Sequence, residues 1–423
     1  MFFKIGTYGS RTAIITDDGT QLTYVELAER VAQRAQELES GVLQFCLCKN
    51  DIASVVEYLA CLEAGAPVVM LDANKDAETI EHLREIYKPG ITRCHPDLAL
   101  CLTTSGSTGS PKLVRLTKRN ILSNSESIAE YLQIDEHERP ITMLPMYYSY
   151  GLSIINSHLL RGATILLTDK TYAQREFWNF LREQQATSMS GVPYTWEMLR
   201  RLRFFRMDLP SVKTMTQAGG KLNAELAKEF IDNAAATGKQ FIVMYGQTEA
   251  TARMSYLPWG RAQEKYASIG VAIPGGEFSL ADDGELIYRG ENVSMGYAEC
   301  AEDLMKGDEN HGVLHTGDVA RVDEDGFYYI TGRKKRFVKI WGNRCNLDAV
   351  EQIVKQVTSS CAVVGVDNQI TVFVTKDGLD AEIKNLLSAK TGLNPKAFAV
   401  RTIDAISVKD SGKLDYQTMQ AWI

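Results

Sequence analysis

The run Thr103-Thr104-Ser105-Gly106-Ser107-Thr108-Gly109-Ser110-Pro111-Lys112 gathers hydroxyl groups and glycines ahead of one lysine. Glycines at 106 and 109 open backbone conformations closed to other residues and leave amide groups accessible to an anion. The hydroxyls add donors and Lys112 adds a charge, so the run reads as a phosphate cradle. It is not the GxxxxGK[ST] loop, because Pro111 precedes the lysine. Flexible linkers have the same composition, and taken alone the run leaves both readings open.

Other residues carry chemical potential of their own. In YGQTEA (Tyr245 to Ala250) Thr248 and Glu249 follow an apolar run, where a Thr-Glu pair can by itself cap a helix. Asp318 in HTGD reads by itself as a turn residue. RKKR at Arg333 to Arg336 is a local positive cluster, and Lys413 in SGKLDY lies near the end of the chain.

The elements that must position these groups are legible from periodicity. LTYVELAERVAQRAQEL, VLQFCLC, ASVVEYLACLEAG, APVVMLD and AETIEHLREIY alternate helix-like and strand-like runs, the pattern of a layered α/β domain. The pattern continues through ITMLP, GLSIINSHLL, ATILLTD, FWNFLREQQ, TSMSGVP, AELAKEFIDNAAATG and QFIVMYG. From about Gly284 short strands and turns take over, with Asp325-Gly326 as a hairpin turn candidate. The expectation is a large layered α/β domain over residues 1–332, ending in a β-rich subdomain, and a small mobile α+β domain over 333–423.

The 423 residues exceed what one core usually serves. Apolar residues at 45% and charged residues at 23% exclude a disordered or fibrous chain. A net charge of -7 argues against general nucleic-acid binding. The N-terminal run is too short and polar for a signal peptide or membrane span, so a cytoplasmic protein is expected. The eight scattered cysteines predict reduced, mostly buried thiols, and Cys46/Cys48 lacks the second pair a zinc site needs.

TTSGSTGSPK resembles the phosphate loop of the AMP-forming adenylating enzymes, the superfamily of acyl- and aryl-CoA synthetases, peptide-synthetase adenylation domains and luciferases. YGQTEA, GELIYRG (Gly284 to Gly290) with Gly296-Tyr297, HTGD, ITGRKKRFVKIWGNR (Ile330 to Arg344) and SGKLDY occur in that family's order. The resemblance covers the chain from about residue 100 to its end and is most like a stand-alone acyl-CoA or acyl-carrier-protein synthetase.

It implies that a carboxylate joins the α-phosphorus of ATP, that pyrophosphate leaves, and that the acyl group passes to a thiol. Cations and donors must then offset the repulsion between carboxylate and polyphosphate. By resemblance Thr104, Ser105, Gly106, Ser107, Thr108 and Gly109 hold phosphate beside Lys112. Thr248 contacts phosphate, Glu249 ligates Mg2+, and Tyr245, Gly246, Gln247, Gly219 and Gly220 line the nucleotide site. Asp318 takes the ribose, with Ile330 and Arg333 beside it. Lys413 reaches the carboxylate and α-phosphate. The small domain rotates about Lys335 between the half-reactions, and Lys339, Gly342 and Arg344 lie on the segment that swings in.

Several positions depart from the family pattern. Leu113 replaces the glycine after the loop lysine, expected to stiffen or narrow that turn. Tyr147-Tyr148 stands where many relatives carry an aromatic-histidine pair, and Val408-Lys409-Asp410 replaces a proline-arginine. About 100 residues precede the loop, which predicts an N-terminal region trimmed of some elements. No acidic residue occurs between Met143 and His158, so nothing there balances an α-ammonium, and a carboxylic acid without one is expected. The expected pocket comprises Tyr148, Ser190, Gly191, Val192, Ala218 and Met254. Coenzyme A is the expected acceptor, the phosphopantetheine of a separate carrier protein the second; RKKR suits the phosphate of either. A non-catalytic nucleotide-binding derivative is the reading from another class.

Overall fold

The computed structural model describes residues 2–103, 112–334, 336–341, 343–408 and 414–423. Thr104, Ser105, Gly106, Ser107, Thr108, Gly109, Lys335, Gly342 and Lys413 lie outside the described residues. The chain divides into two compact units, Met1–Phe278 with Tyr288–Leu314, and Ser279–Ile287 with His315–Ile423.

In the first unit, strands Gln44–Cys48, Val68–Asp72 and Leu98–Thr103 run parallel. Parallel neighbours need crossovers, and helices Ile52–Ala64 and Ala77–Tyr87 supply them. The first begins where the Asp51 side chain accepts the Ser54 amide at 2.8 Å and stops at Gly65. Strand Leu113–Thr117 returns antiparallel to Leu98–Thr103, with Thr103 opposite Leu113, so the loop candidate links two adjacent strands. Leu113 is fully buried in the core of this sheet with Val69, Leu71 and Ala298, a packing role that accounts for an apolar side chain there. Strand Gly296–Ala298 closes the sheet antiparallel, Tyr297 opposite Val114.

A second sheet repeats the design. Strands Ser188–Gly191, Thr214–Gln217 and Gln240–Tyr245 are parallel, joined by helices Pro193–Arg201 and Ala224–Ala236, and Ser255–Tyr256 with Val271–Ala272 add antiparallel edges. The buried Trp196 ring sits edge-on to Phe230 and Phe241 at 5.2 and 5.0 Å, tying both crossover helices to the sheet. The parallel strands end side by side at Gly191, Gln217 and Tyr245, the end at which open α/β sheets hold ligands. The run ITMLP makes one isolated bridge, at Ile141, and the preceding Pro140 makes another; Pro140 and Pro145, which lack the ladder N–H, bound the stretch.

In the second unit Val313–Val322 pairs antiparallel with Tyr328–Arg333 around the Asp325-Gly326 turn. The boundary expected after Gly332 lies at the end of this pair and inside the second unit, whereas the compact units part between Leu314 and His315. Beyond it, strands Cys361–Val366, Gln369–Val374 and Phe398–Thr402 form a sheet covered by helices Leu347–Val354 and Asp380–Thr391. Ile370, Val372, Leu347, Val350 and Ile383 share its core. The mixed layers agree with the expected α/β class. All eight cysteines are free thiols, six of them buried. Among the described residues no helix is long and apolar enough to cross a membrane.

Candidate active site

The first part of the site is a folded-back loop after strand Gln240–Tyr245. A side chain at Gly246 would place its Cβ 1.9 Å from the Ala252 carbonyl oxygen, so only glycine fits the return. The Gln247 carbonyl accepts the amides of Ala250 and Ala252 at 3.0 and 3.2 Å, and Thr251 and Ala252 take positive φ. The tight turn Thr248–Ala250 that results presents Thr248 and Glu249. Thr248 Oγ1 lies 3.2 Å from Ser149 Oγ, at the start of helix Ser149–Leu159.

Glu249 Oε1 accepts a hydrogen bond from the Tyr297 hydroxyl at 2.7 Å. Lys112 Nζ stands 5.8 Å from the centre of the same ring and is ion-paired with Glu299. The strand pairing that puts Tyr297 opposite Val114 thus gathers Lys112 and Glu249 around one tyrosine. Burial, with the Glu249 charge behind it, raises the Tyr297 pKa, so the phenol stays a donor. A hard cation fits here, because Glu249 offers a carboxylate oriented by the Tyr297 hydroxyl. Nucleotide phosphates and water would complete the shell of Mg2+, the usual arrangement for that ion. Tyr297→Phe is expected to raise the Mg2+ concentration giving half-maximal activity about tenfold, the scale seen when a ligand loses its orienting partner. Titrating Mg2+ at saturating ATP checks it, and an unmoved midpoint counts against the orienting role.

Next to this loop lies an apolar wall. Tyr148, Val192 and Ala218 belong to one cluster with Tyr150, Ile154 and Met244. Gly219 takes φ +84, and the Tyr148 hydroxyl lies 2.5 Å from where its Cβ would stand, so the tyrosine closes over the glycine. Burial pushes the Tyr148 phenol up to about 12. Ser190 Oγ is 2.8 Å from Thr216 Oγ1, Gly191 accepts the Trp196 indole N–H at 3.1 Å, and Gly220 accepts the Gln217 amide at 2.8 Å. Met254 is buried, its N–H donating to the Tyr245 carbonyl at 2.9 Å. Sequence reading passed over Ser149, Tyr150, Thr216 and Arg253. Arg253 carried a usable signal, being a lone charge in the small and apolar run after YGQTEA.

Helix Ser149–Leu159 is buried along its whole length. Inside it, His158 Nδ1 bonds the Ile154 carbonyl at 2.7 Å, and burial lowers its pKa from 6.5 to about 4. The unfolded chain therefore takes the proton first as pH falls. The contribution is complete above pH about 6.5 and is lost on approach to pH about 4, up to roughly 3 kcal/mol. Denaturant unfolding at pH 7 and pH 5 is expected to show this loss, and His158→Gln should flatten it.

In the second unit Asp318 is buried midway along Val313–Val322, and Arg333 Nε donates to its Oδ1 at 3.2 Å. The Asp318 amide in turn bonds Thr316 Oγ1 at 3.1 Å. Antiparallel register holds HTGD and the first arginine of RKKR together, although 15 residues separate the pair in sequence. Ile330 faces Ala320 on the same pair. Lys339 is exposed on strand Phe337–Ile340, its amide donating to Asp367 Oδ1 at 2.9 Å.

The basic cluster is not the open patch its composition predicts. Lys334 reaches Asp283 and Glu285 at 2.6 and 2.9 Å, and Arg336 reaches Asp348 at 2.5 Å while stacking on Tyr416. With Arg333 on Asp318, its described members are partnered within their own unit, and a pre-formed phosphate patch there is not supported.

The first unit thus holds a carboxylate bonded by a tyrosine near a lysine, and the second holds an Asp–Arg pair on a hairpin. The model of the family described as AMP-binding enzyme matches residues 4–89 and 84–298, and the chain belongs to that family. It is 27% identical over 407 residues to a feruloyl-CoA synthase of Amycolatopsis sp, covering 82% of this chain and 81% of that protein. It is 25% identical over 409 residues to a 2-succinylbenzoate–CoA ligase of Staphylococcus epidermidis, covering 87% and 83%. The ATP-bound crystal structure of MatB from Rhodopseudomonas palustris shares its fold with a TM-score of 0.83 at 20% identity, covering 100% of this chain and 99% of that one.

Proposed function

We propose that the protein activates a carboxylic acid without an α-amino group and passes the acyl group to coenzyme A. It is an AMP-forming acid–thiol ligase. A carboxylate oxygen bonds to the α-phosphorus of ATP as pyrophosphate departs, and the thiol then attacks the acyl carbon with AMP as leaving group. Lys112 and Thr248 hold phosphate, Glu249 holds the Mg2+ that offsets its charge, and Asp318 with Arg333 takes the nucleoside. Ser149 orients the Thr248 hydroxyl.

One observation carries the choice of acid. Every residue of helix Ser149–Leu159 is buried, and no acid occurs between Met143 and His158 to meet a bound ammonium. The acceptor reading is supported by relatives named for coenzyme A. A broad acid panel tests both: the expected result is acid-dependent exchange of labelled pyrophosphate into ATP, then AMP and acyl-CoA when coenzyme A is added. ADP as product, or no exchange while ATP still binds, defeats the reading. Transfer only to carrier proteins defeats its second half.

A further inference from the structure

Arg253 follows the catalytic turn and is buried, 2% exposed. Its guanidinium lies 3.8 Å over the Tyr150 ring, its Nε–H points to Met244 Sδ at 3.4 Å, and Nη1 has no hydrogen-bond partner. Among the described residues no carboxylate pairs with it. Guanidinium does not give up its proton in proteins, so the charge persists, and an uncompensated buried charge is costly. Stacking on tyrosine offsets part of that cost and leaves Nη1 without a partner.

A cavity of about 20 Å³ borders Arg253, Ser153, Ser190 and Thr216, room for one small polar group. Glu138 and His158 also line it. The Glu138 carboxylate accepts the Thr187 hydroxyl and forms no ion pair with Arg253, and burial holds His158 neutral at pH 7, so the guanidinium has no directly bonded counter-charge among the described residues. Ser190, Thr216 and the Tyr150 hydroxyl form one network at 2.8 Å contacts, adding donors around the cavity. Helix Ser149–Leu159 joins this place to the reacting end: Ser149 touches Thr248, and the next residue, Tyr150, carries the guanidinium.

We propose that Arg253 is the specificity residue for a second, distal anionic group, so that the acid this enzyme activates is a dicarboxylate or a comparable dianion. The inference rests on reading the Tyr148, Val192 and Ala218 wall as the acid pocket. The distal carboxylate replaces the missing counter-charge at Nη1, with Ser190 and Thr216 beside it, while the other carboxylate faces Thr248.

The test is pyrophosphate exchange with matched pairs: butanoate against butanedioate, hexanoate against hexanedioate, and 3-phenylpropanoate against 3-(4-carboxyphenyl)propanoate. At least one diacid is expected to exceed its partner about a hundredfold in kcat/KM, the scale of a buried, hydrogen-bonded charge pair. Arg253→Met should erase that ratio and leave or improve the monoacid, and Arg253→Lys should restore part of it. Monoacids that equal or exceed every diacid overturn this inference alone, as does an Arg253→Met loss equal for both members of a pair. No exchange with any acid overturns the ligase reading as well. If Arg253→Met does not fold, the wild-type ratios decide.

Discussion

Glu249→Gln is expected to lower acid-dependent pyrophosphate exchange by about two to three orders of magnitude, close to 3–4 kcal/mol of transition-state stabilisation. The substitution keeps shape and removes charge. The amide oxygen still accepts the Tyr297 hydroxyl, so the turn after Gly246 keeps its geometry and the protein should unfold as the wild type does. What would go is the hard anionic ligand that the resemblance implies for a Mg2+–polyphosphate complex. Exchange at saturating ATP and acid, with a thermal unfolding control, checks it. A loss smaller than tenfold with unchanged Mg2+ dependence would remove Glu249 from the metal site.

Lys413→Ala should produce a loss of similar size confined to one half-reaction. The lysine's implied task is to neutralise charge as carboxylate oxygen approaches the α-phosphorus, so adenylation should fall about a hundredfold or more. Transfer to coenzyme A from a supplied acyl-adenylate meets no such repulsion and should stay within a few-fold of wild type. Measuring exchange and single-turnover thiolysis on the same preparation separates the two. Equal losses in both steps would mean that Lys413 acts in binding generally.

How far the sequence reached differs between elements. Strand and crossover helix were legible in QFCLC, ASVVEYLACLEAG and APVVMLD, where an Asp cap and a terminal Gly bracket one helix and apolar runs bracket the strands. ITMLP looked much the same and forms one isolated bridge, with a proline that lacks the ladder N–H at either end of that stretch. RKKR read as free charge because its acids lie elsewhere: Asp283 and Glu285 come from before it, Asp348 from after it. Charge density in a chain says nothing of partners supplied by folding.

By itself the sequence determined the family, the layered α/β class and the ordered motifs that name Glu249, Asp318 and Lys413 as candidates, since each depends on local spacing that no tertiary contact alters. Tertiary structure alone decided what surrounds them. Strand pairing between segments far apart brings Tyr297 onto Glu249 and into reach of Lys112, and register sets Arg333 opposite Asp318. Only burial turns Arg253 from one arginine among many into a charge without a counter-ion, because the cost of a charge depends on the medium around it, which the order of residues does not state.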